Sequence, residues 1–60
     1  MSIESILEYV QYTPWNTNLT ILRQMLEKEG KTEDEIKRIL QHVDKNRNSL
    51  NTTVLSSMLD

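Results

Sequence analysis

A ten-residue segment of this chain occurs twice, and this repetition constrains the fold more than any other feature. Residues 18–27 (NLTILRQMLE) recur 33 residues later as residues 51–60 (NTTVLSSMLD). At this offset 27 pairs align without a gap, and nine pairs are identical. Two helical hairpins with similar apolar periodicity would share Leu and Ile in any case, but Asn18/Asn51 and Thr20/Thr53 are polar matches that core packing does not require. We therefore predict an internal duplication.

The apolar residues follow the spacing of helices that bury one face. Positions three, four and seven residues apart carry isoleucine, leucine or valine, which predicts a first and a third helix. The two stripes are Ile3, Ile6, Leu7 and Val10, and Ile36, Ile39, Leu40 and Val43. We predict that the first helix spans residues 1–10, begins at a Ser2 cap and stops near Tyr12, because Pro14 has no N–H to donate.

Short polar signals predict where the other helices begin and end. Asn18 is the expected N-cap of the second helix, which should end at Glu29, before a left-handed Gly30. Thr32 and Glu35 have the spacing of a capping box at the start of the third helix. The polar residues 44–50 predict a turn, and residue 51 is again an asparagine that can cap a fourth helix.

These elements predict an all-α fold in one domain, residues 1–60. Four short helices would form two duplicated hairpins, residues 1–27 and 34–60, in a compact bundle with a pseudo-two-fold axis. The chain has no cysteine, so no disulfide can support its small core. Because the core of a 60-residue chain gives only marginal stability, we expect self-association. The apolar side chains predicted to be spare for it are Tyr12, Trp15, Leu19 and Leu50.

Charge and hydropathy limit the partners and the location of the protein. The net charge of −2 gives no general attraction for nucleic acid. No apolar run approaches the roughly 20 residues of a membrane span, and the N-terminus lacks the pattern of a signal peptide. We therefore expect no membrane association. A cytoplasmic protein, or one carried in an assembly made in the cytoplasm, is the prediction.

Residues that could carry chemistry lack the partners that chemistry needs. Residues 44–49 place oxygen donors as at the start of a calcium loop, but Ser49 stands where glycine makes the sharp turn and Leu55 where a carboxylate is required. His42 is the single histidine and has no evident acid or cysteine partner. We therefore predict a protein that is not an enzyme, with no catalytic residue, cofactor, metal or small-molecule substrate.

A modest positive surface leaves a second interpretation open. It would be formed by Lys37, Arg38, Lys45 and Arg47. Helical hairpins are used in DNA recognition, but the fourth helix has no basic face to enter a groove. The alternative function is therefore a small regulator that binds another protein or DNA, with nucleic acid the less expected partner.

Trp15 is the residue for which we most expect a binding role, because an exposed tryptophan is unfavourable unless it packs or binds. Two interpretations are open. Trp15 could close the end of the bundle as a hydrophobic staple before Asn18, or it could contact a protein partner. The predicted partner-binding residues are Trp15, Tyr12, Leu19 and Arg23. They lie in the first copy of the repeat, whose Pro14, Trp15 and Arg23 are replaced in the second by Arg47, Asn48 and Ser56.

One stretch of the first copy is similar to known proteins. The Tyr-Val pair at residues 9–10, the sequence TPWNTN at 13–18 and the Leu-x-x-Met-Leu pattern at 22–26 resemble short proteins encoded among tail and structural genes of phages and prophages of Gram-positive bacteria. Leu19 stands where those proteins often carry proline. The resemblance covers residues 3–27 and implies a phage-associated small protein of the host cytoplasm or phage particle. It brings no catalytic or binding residues with it.

Overall fold

Four α-helices and one short 3₁₀-helix make up most of the molecule. The computed structural model describes residues 3–60. The helices are α1 (Ile3–Tyr12), α2 (Leu19–Lys28), α3 (Glu33–Lys45) and α4 (Thr52–Leu59), and the 3₁₀-helix spans Pro14–Asn16. The described residues form no strand, so the predicted all-α class is confirmed. The predicted Ser2 cap and the first two residues of the predicted first helix lie outside the described residues.

The two asparagine caps have the same geometry. Asn18 Oδ1 accepts hydrogen bonds from the amides of the second and third residues of α2, at 2.9 and 3.2 Å. Asn51 Oδ1 accepts from the corresponding amides of α4, also at 2.9 and 3.2 Å. Each cap satisfies two of the four amides that a helix N-terminus leaves without intrahelical partners. Both predicted N-caps are confirmed.

Gly30 ends α2 in the left-handed conformation that the sequence predicts, with φ of 81°. The helix itself stops at Lys28, and Glu29 is its C-cap. The Gly30 amide donates to the carbonyl of Glu27 at 3.0 Å, and the next amide donates to the carbonyl of Leu26 at 3.1 Å. This pair of bonds is a Schellman motif, in which glycine avoids the steric penalty of a Cβ.

The predicted capping box opens α3. The Glu35 amide donates to Thr32 Oγ1 at 3.2 Å, and the Thr32 amide donates to Glu35 Oε1 at 2.9 Å. Hydrogen bonds from the backbone and the side chain of Thr32 favour the ionised carboxylate, and they hold the pKa of Glu35 below its ordinary value of 4.5. Burial opposes this effect weakly, and nearby Lys31 and Arg38 add to it.

The third helix is longer than the turn prediction for residues 44–50 allowed. It continues through Asp44 to Lys45, and the amide of Asn46 still donates to the carbonyl of His42 at 3.1 Å. Helical hydrogen bonding therefore extends past the last buried residue of the stripe. The turn itself begins only at residue 46, so the prediction was wrong for its first two residues.

The core lies along the centre of the bundle and receives side chains from all four helices. α1 and α3 each contact both α2 and α4, so the helices form a ring. Burial follows the predicted stripes, with Leu7 and Leu40 at their partly exposed edges. The buried apolar side chains are Ile6, Val10, Leu22, Leu26, Ile36, Ile39, Val43, Leu55 and Leu59.

Leu19 and Leu50 pack partly buried against this core, so they are not the spare apolar groups that the sequence suggested. Each lies next to an asparagine cap, where the chain enters α2 or α4, and the side chain turns inward to cover the core. In residues 3–60 no helix is long and apolar enough to cross a membrane.

Two loops meet at the same end of the bundle, since Arg47 donates hydrogen bonds to carbonyls of residues 14–17. The C-terminal ends of α1 and α3 and the N-terminal ends of α2 and α4 meet there. We call this the loop end and define it as residues 12–18 and 46–51. The connection between α2 and α3 lies at the opposite end, next to the last residues of α4, where Lys31 Nζ donates to the carbonyl of Leu59.

Candidate interaction surface

Tyr12 and Trp15 are the most exposed large apolar side chains in the described chain, and both lie at the loop end. Tyr12 is 81% exposed and Trp15 is 64% exposed. The hydrophobic-staple interpretation of Trp15 is therefore wrong, because most of this residue is exposed rather than packed against the end of the bundle. The indole is left available to solvent.

The backbone around Trp15 is held by short-range hydrogen bonds. The Asn16 amide donates to the carbonyl of Thr13 at 2.9 Å, and the Thr17 amide donates to the carbonyl of Pro14 at 3.3 Å. Pro14 starts the 3₁₀ turn because its φ is already restricted and it needs no amide partner there. The tryptophan thus lies in the middle of a regular turn.

Thr17 anchors the turn to the bundle. Its side chain is buried, with only 4% of the residue exposed, and its Oγ1 donates to the carbonyl of Thr13 at 3.3 Å. The next amide, that of Asn18, donates to the Tyr9 hydroxyl at 3.2 Å. These two contacts connect the end of the turn to its start and to α1.

Arg47 joins the two loops of the loop end. Its Nη1 donates to the carbonyls of Pro14, Trp15 and Thr17 at 3.2, 3.3 and 3.0 Å. Its Nε donates to Asp44 Oδ1 at 3.2 Å, which orients the guanidinium. One charged group thus satisfies three carbonyls on both sides of Trp15.

Arg47 was predicted from sequence to belong to a positive surface, and this joining role was not predicted. Its side chain is only 25% exposed, and its Nε and Nη1 donate hydrogen bonds within the protein. The one related feature of the sequence is that the 33-residue offset of the repeat aligns Arg47 with Pro14, one of the residues it contacts. An alignment cannot by itself tell that two paired positions also touch.

Two of the four predicted binding residues belong to other contacts. Leu19 packs partly buried on the core. Arg23 forms an ion pair with Glu33, with Nη1 at 2.9 and 3.1 Å from the two carboxylate oxygens, and so connects α2 with α3. The structure therefore leaves Tyr12 and Trp15 as the exposed aromatic part of the candidate surface.

The sequence around the loop end carries very little charge. Residues 11–22 and 48–59 contain no acidic or basic side chain, although the chain has seven basic and nine acidic residues. Directly before the second of these segments, Asp44 pairs with Arg47, and Lys45 is exposed. Asn16 and Asn48 present neutral amides beside the aromatic groups. The surface is thus aromatic and polar but nearly uncharged.

Two shallow grooves on the side of the bundle share Gln11 in their lining, and one of them includes Tyr12. One, of about 420 Å³, is lined by Glu8, Gln11 and Tyr12. The other, of about 440 Å³, lies between α1 and α4 and is lined by Gln11 together with Thr and Ser side chains of α4. Both are open to solvent, so they are extensions of a surface rather than enclosed ligand pockets.

The part of the chain that the structure describes has no cluster of metal-binding side chains at this surface. Among residues 3–60, no group of three or more His, Asp or Glu side chains could hold a metal ion. His42 is half-buried, and its Nδ1 lies 3.3 Å from Asn46 Nδ2. Its contact is therefore with the amide that follows α3.

No family model, curated protein or solved structure matches this chain. The resemblance of residues 3–27 to phage-encoded proteins accordingly stays a prediction. The function has to be argued from the surface itself.

Proposed function

We propose that this chain is a small non-enzymatic interaction or structural protein that self-associates. The observation that carries the proposal is Trp15, which is 64% exposed in a turn that Arg47 holds by three carbonyl contacts. Exposed aromatic side chains are enriched at protein interfaces because they lose much apolar contact with water for few rotatable bonds. We expect Trp15 to be buried by a protein partner.

The fixed backbone of the turn supports this proposal. A binding loop that is ordered before binding loses less conformational entropy when the partner arrives. The Arg47 guanidinium and the hydroxyl groups of Thr17 and Tyr9 each form a hydrogen bond with the backbone of residues 13–18. An aromatic side chain on such a loop is suited to recognition, whereas the surface offers no arrangement of nucleophile and base.

We also propose that the chain arose by duplication of a helical hairpin. Buried Ile6, Val10, Leu22 and Leu26 are matched 33 residues later by buried Ile39, Val43, Leu55 and Leu59. The two asparagine caps support the same proposal through their equal hydrogen-bond distances. From the resemblance of residues 3–27 to phage tail-gene products we propose a role as a component of an assembly, in the phage particle or the host cytoplasm.

Sedimentation equilibrium of the intact chain tests self-association. We expect the weight-average mass to rise with concentration across the micromolar range. Trp15 emission, recorded on the same samples, should move to shorter wavelength as the indole leaves water. A mass that stays at the monomer value at high micromolar concentration, with unchanged emission, would contradict the proposal.

A further inference from the structure

We infer that the loop end is the surface through which two copies of this chain associate, end to end and about a two-fold axis. The inference rests on the proposed function and adds the surface and the partner. In such an isologous dimer the same residues of both copies form the interface. Tyr12 and Trp15 of each copy would then be buried against the loop end of the other.

Charge favours a second copy at this end over the other surfaces. Two copies of a chain with net charge −2 repel each other, and a two-fold contact places like groups close together. The opposite end and α3 carry acidic clusters, including Glu33 and Asp34. The loop end avoids this repulsion, since Asp44 and Arg47 neutralise each other. An isologous contact there brings together mainly aromatic and amide groups.

The available area predicts a weak dimer. Tyr12 and Trp15 each carry roughly 150–250 Å² of surface, so their exposed fractions amount to about 300 Å² together. A stable dimer buries about 800 Å² per partner. The neutral residues Thr13, Asn16 and Asn48, which are exposed beside them, would supply part of the remainder. We therefore expect dissociation in the micromolar range and a polar periphery.

The end-to-end arrangement makes a geometric prediction. The connection between α2 and α3, with Gly30 in its centre, lies at the end opposite to Trp15. In the dimer these connections would point away from each other at the two far ends. A contact through the side of the bundle would instead bring the connections of both copies to comparable distances from the interface.

Cysteine cross-linking tests this arrangement directly, because the chain contains no cysteine. Asn16→Cys places a thiol on the loop end, and the matched control Lys28→Cys places one near the opposite end. Both positions are exposed. With a short bismaleimide at high micromolar concentration, Asn16→Cys should give a covalent dimer well above the yield of Lys28→Cys. Equal yields, or a higher yield from Lys28→Cys, would overturn the inference.

Aromatic variants separate the inference from the proposed function. Trp15→Ser and Tyr12→Ser should each weaken dimerisation by about tenfold or more in sedimentation equilibrium, since interface aromatics dominate binding energy. Lys28→Ser is the control, because Lys28 is exposed at the C-terminal end of α2, away from the loop end. Circular dichroism should show all three to be folded. If the wild-type chain self-associates but these aromatic variants do so equally well, the loop end is the wrong surface while self-association stands. A wild-type chain that stays monomeric contradicts both.

Discussion

At the scale of single residues, Arg47 holds the two loops of the candidate surface together. Its guanidinium reaches carbonyls 30 to 33 residues away in sequence and so connects the two loops of the loop end. A charged donor is suited to this role because its hydrogen bonds are stronger than those of neutral groups. Lysine could not reproduce it, since it lacks the planar fork of donors.

Arg47→Ala should loosen the Trp15 turn and destabilise the fold by about 1–3 kcal/mol, because several charge-assisted hydrogen bonds to partly buried carbonyls are lost. Chemical denaturation measures the stability, and fluorescence anisotropy of Trp15 measures the mobility of the indole. Arg38→Ala is the matched control on an exposed position of α3. Equal anisotropy in wild type and Arg47→Ala would show that the turn is held without the guanidinium.

Glu35 predicts a pH dependence of stability. Its pKa in the folded protein is lowered from 4.5, chiefly by hydrogen bonding from the Thr32 backbone. A carboxyl with a depressed pKa stabilises the fold above its unfolded pKa, and this contribution is lost as the pH falls through the folded value. Glu35→Gln should therefore be less stable than wild type near neutral pH.

The difference between wild type and Glu35→Gln should shrink on acidification below pH 4.5, as thermal unfolding at a series of pH values would show. Asp34→Asn, in the same helical turn, is the control, because Asp34 is exposed and belongs to no capping box. A difference that is independent of pH would mean that the carboxylate charge has no part in the cap.

At the scale of helices, the N-cap residues determine where α2, α3 and α4 begin. α4 has only eight residues, and short helices are marginal in isolation. Its N-cap and its buried Leu55 and Leu59 must therefore act together. The same holds for α2, whose N-terminus uses Asn18 and whose C-terminus uses Gly30.

Asn18→Ala and Asn51→Ala should each destabilise the protein by about 1 kcal/mol, because each removes the acceptor for two amides. Thermal or urea unfolding measures the loss. Asn48→Ala provides the control, as Asn48 is exposed and caps no helix. Near-equal losses at both caps would also agree with the proposed duplication, whereas a neutral effect at either one would show that water replaces its side chain without cost.

At the scale of the whole molecule, stability depends on a small number of buried side chains. Among residues 3–60, nine apolar side chains are buried, and they come from all four helices. A domain of this size has a free energy of unfolding of roughly 3–9 kcal/mol. Removing one large core side chain takes away much of that total.

Leu22→Ala and Leu55→Ala should each reduce the free energy of unfolding by about 2–5 kcal/mol, since both leucines are fully buried. Circular dichroism melts should show broad, low-temperature unfolding or loss of helix. Tyr12→Ala, at an exposed position, should melt close to wild type when both are compared below the dimerisation range. Core variants that melt like wild type would place these leucines outside the cooperative core.

Much of the fold could be predicted from local patterns. Helix stripes, two asparagine caps, a capping box and a left-handed glycine are each decided within about one helical turn, so the residues that cause them are adjacent in sequence. The end of α3 was misjudged because polar residues at 44 and 45 can either continue a helix or leave it. In the structure these two residues continue the helix, and the amide of Asn46 still donates to the carbonyl of His42 one turn earlier.

The sequence by itself determined the four helices and most of the residues that cap them, because those contacts span three to five residues. Only the tertiary structure decided which apolar side chains remained exposed. Leu19 and Leu50 found room against the core, whereas Trp15 did not. Arg47 reaches the Trp15 turn for the same reason: the packing of four helices brings distant loops together, and side chains then fill or leave the space that results.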